Sequence, residues 1–210
     1  MITLILADDH PIARAGIRTI LSEATDIQIV GEAENGFEAE KLVERLRPRI
    51  LLLDLRMPGP RPWEIEKQVR TRFPDTMTLI LTAHDRDRYL SEMIDAGVSG
   101  YLDKKEAGER LIEAIRRAAL GETVISNQQY SRAQKWRLEA GDKLGRLTKR
   151  EREVLGLISQ GLANQTVAKT LHVSQRDIVF HVSNILEKLE VNTRQEAAAW
   201  VHKYYPDDLE

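Results

Sequence analysis

The chain has no cysteine among its 210 residues, which removes thiol catalysis, disulfides and cysteine-ligated zinc together and suits a reducing compartment. No apolar run approaches the roughly 18 residues of a membrane span. The opening MITLILADDH passes from a short apolar stretch straight into acids, unlike a signal peptide. Excess charge of one sign is missing too, since a net of −2 leaves any nucleic-acid surface to be local. What remains, 42% apolar and 30% charged residues, is ordinary globular material for one large or two ordinary domains. A cytoplasmic protein with no membrane partner is expected.

The first half is organised around residues 50–60, ILLLDLRMPGP. Four consecutive aliphatics read as a strand buried on both faces, and they end at Asp54. Residues 2–7, ITLILA, end likewise at Asp8 and Asp9, after which His10-Pro11 opens a helical pattern. The unit recurs, with strands over 27–31, 76–82 and 100–102 and helices over 36–46, 62–73, 85–96 and 106–120, Gly97 and Gly121 stopping the last two. Such alternation predicts an α/β fold: a doubly wound five-stranded parallel sheet of flavodoxin-like order 2-1-3-4-5. Its switch point falls between the first and third strands.

That topology gathers Asp8, Asp9, Asp54, Thr82 and Lys104 at the carboxyl edge of the sheet. Any one of them alone is as well explained by a turn, a helix cap or a surface ion pair. Together, at consecutive strand ends, they point to a site. Crowded carboxylates require a cation, and an all-oxygen set with few protein ligands suits Mg²⁺. Mg²⁺ and Lys104 would neutralise a phosphoryl group, the Thr82 hydroxyl would donate to it, and Asp54 remains as nucleophile. A metal-dependent phosphatase would also need a clear second acid-base group, which the sequence does not offer.

Asp8-Asp9, Asp54 followed by Met57-Pro58-Gly59, Thr82-Ala83, and Gly100-Tyr101-Leu102 with Lys104 resemble the receiver domain of two-component response regulators. The resemblance implies that Asp54 accepts a phosphoryl group from a sensor histidine kinase. It further implies that Asp8, Asp9, Asp54 and the Arg56 backbone carbonyl hold Mg²⁺, and that Thr82, Ala83, Tyr101 and Lys104 contact the phosphate or switch. The chain departs from the pattern at Pro60-Arg61-Pro62-Trp63, where the prolines stiffen the loop. Arg56, Arg61 and His84 are expected close to the site.

Residues 121–145 carry no long apolar stripe and read as a linker, helical around 131–139, with Trp136 available to dock on a domain. Helical periodicity then returns in an all-α, four-helix unit over 146–205. Thr148 with Glu151 and Ser174 with Asp177 form capping-box patterns, and helices over 164–171 and 174–189 make a helix-turn-helix. The stretch from Leu147 to Trp200 is similar to the LuxR/NarL-type DNA-binding domain. That resemblance places Lys169, Gln175, Arg176, Val179, His181, Ser183 and Lys188 as candidate DNA contacts, with Lys149 and Arg150 at phosphates. Val179 stands where the family commonly has lysine, and the segment from Arg146 to Lys203 holds nine basic against six acidic residues, a net of +3.

The sequence therefore predicts a receiver over 1–120, a linker over 121–145 and a DNA-binding domain over 146–205. It predicts a transcription regulator, not an enzyme, that dimerises on phosphorylation and binds double-stranded DNA. The Tyr101 face and the last helix, with Ala197, Trp200 and Val201, are the candidate dimer surfaces. The alternative is a phosphorylation-dependent interaction or dimerisation module with weak or lost DNA binding.

Overall fold

The computed structural model describes residues 1–83, 85–106 and 108–205. They divide into two compact units, the first running from Met1 to Ala133 and the second starting at Gln134.

In the first unit, strands β1 (Ile2–Ala7), β2 (Ile27–Ala33), β3 (Ile50–Leu53), β4 (Met77–Thr82) and β5 (Gly100–Asp103) form one parallel sheet. Their order is β2-β1-β3-β4-β5, as the alternation predicts. Between them run α1 (Pro11–Ser22), α2 (Gly36–Leu46), α3 (Pro62–Arg72), α4 (Asp87–Ala96) and α5 (Glu109–Ala119). The ILLL strand is fully buried because both of its faces are covered: Leu51 and Leu53 pack with Val43, Ile65 and Met93, while Ile50 and Leu52 pack with Ile17, Leu21 and Ile115. Gly97 ends α4 at φ 98°, a left-handed conformation that costs glycine little, and the Arg70 guanidinium donates to its carbonyl at 3.1 Å.

The region expected as a linker is helical over more of its length than the sequence suggested. Helix α6 spans Asn127–Trp136, a π-turn covers Arg137–Gly141, and α7 covers Asp142–Gly145. Its early part lies on the first unit. Val124 pairs with Gly100 beside β5, Gln129 donates to the Tyr101 carbonyl at 2.9 Å, and Ala133 is buried with Tyr101 in the core. Arg132 holds Asp85 at 2.8 Å and Asp87 at 2.7 Å. One of the two candidate dimer surfaces, the Tyr101 face, is thus covered by residues 124–133 of the same chain.

The second unit packs α8 (Lys149–Ser159), α9 (Asn164–Thr170), α10 (Gln175–Leu189) and α11 (Arg194–Tyr204) around Val154, Leu155, Ile178, Ile185 and Leu189. Trp136 stacks obliquely on Tyr205 with ring centroids 6.0 Å apart. Gly141 lets that indole approach, since a Cβ there would lie 2.9 Å from the ring. Ala197, Trp200 and Val201, named among the candidate dimer residues, are buried in this core.

One buried acid stands out in the first unit. Glu66 on α3 is 4% exposed, its Oε2 has no hydrogen-bond partner, and burial pushes its pKa up to about 7, with Thr78 and Arg70 opposing the shift only in part. The unfolded chain ionises this group near pH ~4.3 and the folded chain only near neutrality, so its contribution to stability declines as pH rises between those values. Glu66→Gln is expected to stabilise the protein by up to about 3 kcal/mol at pH 8, with the difference fading towards pH 4.5. Denaturant unfolding of parent and variant across that range checks it, and parallel curves would refute it.

Candidate functional site

Each predicted acid sits one or two residues beyond its strand, where the ladder hydrogen bonds are still being made. The Asp54 N–H donates to the Ala7 carbonyl at 2.9 Å and the Asp8 N–H to Ala33 at 3.0 Å, which fixes both backbones at the carboxyl edge. Asp8 is 1% exposed, Asp54 4% and Thr82 fully buried. Lys104, just past β5, reaches both acids, with Nζ 2.7 Å from Asp8 Oδ2 and 3.1 Å from Asp54 Oδ1. The other Asp54 oxygen accepts from the Arg56 N–H at 3.3 Å.

Burial pushes the Asp54 carboxyl above the usual carboxylate range, and Lys104 partly restores it. For Lys104 the balance runs the other way: burial lowers its pKa, but the two acids outweigh it and hold the ammonium more firmly charged. A fixed cation thus lies against a nucleophile-type carboxylate in a nearly dry pocket. One ligand atom from each of Asp8, Asp9, His10 and Asp54 lies within 4.8 Å of all the others, and His10 Nδ1 pairs with Asp9 Oδ1 at 2.7 Å. An oxygen-rich set of that kind fits a divalent cation.

The flanking residues fall into place around this pocket. Tyr101 is 2% exposed, packed inward with Leu90 and Met93, and its phenol is shifted upward by burial and by Asp85. Ala83 is exposed beyond β4, and His84 lies outside the described residues. In the departing loop, Pro62 begins α3 and Glu64 accepts from the Arg61 N–H at 3.2 Å, so the prolines set a helix start beside the site.

Arg14 was not singled out from the sequence. It is 9% exposed, donates to the Asp8 carbonyl at 2.7 Å and pairs with Glu32 at 3.1 Å and with Glu34. It therefore braces the turn that carries Asp8 and Asp9. Spacing alone gave no signal, because its partners sit at the end of β2.

In the second unit both capping boxes form. Asp177 accepts from the Ser174 N–H at 3.1 Å, and these bonds hold its carboxyl below the usual range, so it serves the start of α10. Gln175, Arg176, Val179 and Ser183 lie on the exposed side of α10, and Lys169 is exposed on α9. His181 is half-buried with an unbonded Nδ1. Arg150 is tied to Glu153 and to the Leu171 carbonyl. Lys188 reaches the buried Glu151 at 2.7 and 2.9 Å, bridging α10 to α8. Phe180, which the sequence reading passed over, is 63% exposed beside Val179 at 50%.

Comparison with known proteins agrees with this division. Residues 4–116 match the response regulator receiver domain, and residues 145–201 match the bacterial regulatory proteins of the luxR family. The nitrate/nitrite response regulator protein NarL of Escherichia coli is 35% identical over 207 residues, covering 96% of this chain and 95% of NarL. The response regulator protein VraR of Staphylococcus aureus is 32% identical, with 97% of each chain covered. Among solved structures, the Salmonella typhimurium RcsB response regulator superposes with a TM-score of 0.66 at 26% identity over 96% of this chain and 99% of that one. A structure of an RcsB–DNA complex gives 0.62 at 25% identity, covering 97% and 98%. The chain belongs to the response regulators that join a receiver domain to a luxR-family regulatory domain.

The Glu151–Lys188 contact yields a test of what Lys188 does. Lys188→Ala leaves Glu151 buried without its cation, and a loss of about 1–3 kcal/mol is expected for the second unit in thermal unfolding. A lysine serving only an external ligand would leave the unfolding curve unchanged.

Proposed function

We propose that this protein is a cytoplasmic two-component response regulator in which phosphorylation of Asp54 controls sequence-specific DNA binding, and hence transcription, by residues 146–205. Residues 1–120 act as the receiver and residues 121–145 join the two. The observation that carries this reading is the Lys104 ammonium held between Asp8 and Asp54 at the carboxyl edge of the sheet. It is a regulator and not a turnover enzyme.

The phosphoryl donor is the phosphohistidine of a sensor kinase. An Asp54 oxygen attacks phosphorus as the P–N bond breaks, the imidazole leaves and an acyl phosphate forms. Asp8, Asp9, Asp54 and the Arg56 carbonyl would hold Mg²⁺, which supplies charge neutralisation for the phosphoryl oxygens. Lys104 adds a second cation, and Thr82 and the Ala83 backbone contact the bound phosphate. Tyr101 and the β4–α4 loop then repack together. Since Arg132 holds Asp85 in that loop and Asp87 at the start of α4, the repacking would also reach residues 124–133.

In the effector, Lys169, Gln175, Arg176, Val179, His181 and Ser183 present the reading surface of double-stranded DNA, and a phosphorylated homodimer brings two such surfaces to two half-sites. Lys188 supports α10 from behind. A second reading, a phosphorylation-dependent protein-interaction module, is favoured by the exposed apolar pair Val179 and Phe180.

Asp54→Asn is expected to abolish acid-labile phosphate uptake from acetyl phosphate with Mg²⁺, followed by phosphate-affinity electrophoresis. Uptake at wild-type level by the variant would refute the assignment. Arg176→Ala is expected to weaken binding to a selected operator by roughly 5–100-fold at fixed salt. An unchanged affinity, or binding that does not weaken as salt rises, would favour the protein-interaction reading.

A further inference from the structure

On α10, Arg176, Val179, Phe180 and Ser183 are all exposed and follow the i, i+3, i+4, i+7 spacing of one helical face. The face that carries Ile178 and Ile185 is buried in the core. Polar groups beside Val179 and Phe180 are already engaged. The Asp177 carboxyl accepts from the Ser174 N–H at 3.1 Å and from the Ser174 hydroxyl at 2.7 Å, and the Ser183 hydroxyl donates to the Val179 carbonyl at 3.1 Å. The exposed residues from Asp177 to Ser183 therefore offer two apolar side chains and no uncommitted donor. The His181 ring lies tilted against Phe180, with centroids 6.0 Å apart, which steadies the aromatic side chain.

Both apolar residues stand in the second turn of the second helix of a helix-turn-helix, the part that meets base edges in a major groove. There the C5 methyl of thymine is the only apolar group that an unmodified base pair displays, every other site being a donor or an acceptor. Over thymine an apolar pair gains contact. Over a G·C pair it covers polar edges without replacing their hydrogen bonds to water, which carries a penalty. We propose that Val179 and Phe180 set operator specificity by seating thymine C5 methyl groups, and that they reject G·C pairs at the same positions. The proposal rests on the DNA-binding reading above and narrows it to two residues and one group on the DNA.

The test uses the full chain with acetyl phosphate and Mg²⁺, and an operator recovered by selection from random-sequence duplexes. Each thymine of that operator is replaced in turn by 2′-deoxyuridine, which keeps the pairing and removes only the methyl. At the thymines beneath the pair, uracil is expected to weaken wild-type binding about fourfold per methyl, the scale of one buried methyl-sized group. Cytosine placed there should bind more weakly still, and 5-methylcytosine should recover about fourfold over cytosine. In the double variant Val179→Ser, Phe180→Ser, thymine and uracil operators should bind within about twofold of each other, the loss of coupling that a mutant cycle reads.

Because deoxyuridine alters only the DNA, the wild-type result stands whatever the double variant does to folding. Unchanged affinity with uracil at every thymine would overturn the proposal, as would a double variant that keeps the wild-type response to uracil. If selection enriches no sequence, the DNA-binding reading falls together with the proposal, and a protein partner becomes the occupant of this face. Enrichment without any uracil effect sinks the methyl assignment alone.

Discussion

The receiver unit depends on the way Lys104 satisfies two nearly dry carboxylates. Asp8 and Asp54 are 1% and 4% exposed and come from strands that pair side by side, so their charges cannot be moved apart without breaking the ladder. Leaving such a pair buried and uncompensated would cost several kcal/mol, which sets the demand that the rest of the unit meets. Lys104 can reach both only because it follows β5, and β5 is placed by pairing with β4, which pairs with β3. Sheet order and site chemistry are one constraint. On the proposed reading, the same crowding is what would admit a divalent ion and a phosphoryl group.

Around that pair the polar contacts act as braces. Arg14 ties the Asp8 carbonyl to the end of β2, and Arg132 ties residues 124–133 to Asp85 and Asp87 just past β4. Charge-assisted bonds of this kind hold direction as well as position. A rearrangement at Thr82 therefore meets a chain segment that is already fastened to the loop beside it. With Gln129 on the Tyr101 carbonyl and Ala133 in the core, residues 124–133 lie on the Tyr101 face of their own unit.

Much of this was legible because strand ends and helix starts carry local signals. The run of four aliphatics before Asp54, the glycine after α4, and Thr148 with Glu151 each announce themselves within a few residues, and the sheet order follows from alternation. What was hidden is long-range. Arg14 reads as a surface residue on the helical wheel of α1, yet it is buried because Glu32 and Glu34 lie across from it. Helix α6 and the turn after it showed no stripe because their apolar residues serve two cores: Ala133 belongs to the first, and Trp136 and Ala140 to the second. Lys188 looks like any cation on a recognition helix until the fold sets Glu151 behind it. The clustered acids were legible as a group, but the pairing of His10 with Asp9 required side-chain geometry.

The helical unit shows how little of a net charge need be available to a ligand. Lys143 and Arg146 pair with Glu190, Arg150 with Glu153, and Lys188 with Glu151, so much of its basic side-chain charge is committed within the unit. Arg176 stays exposed on α10 with Val179 and Phe180, which gives this helix an outer face with few cations and two apolar side chains. Such a face gains little from counterion release and more from close contact with apolar groups, among which the thymine methyl is the one DNA offers in its major groove. On the proposed reading a single copy would therefore hold DNA weakly at physiological salt. Pairing two copies on adjacent half-sites would supply the missing affinity, which makes dimerisation the step through which phosphorylation at Asp54 can be felt at the DNA.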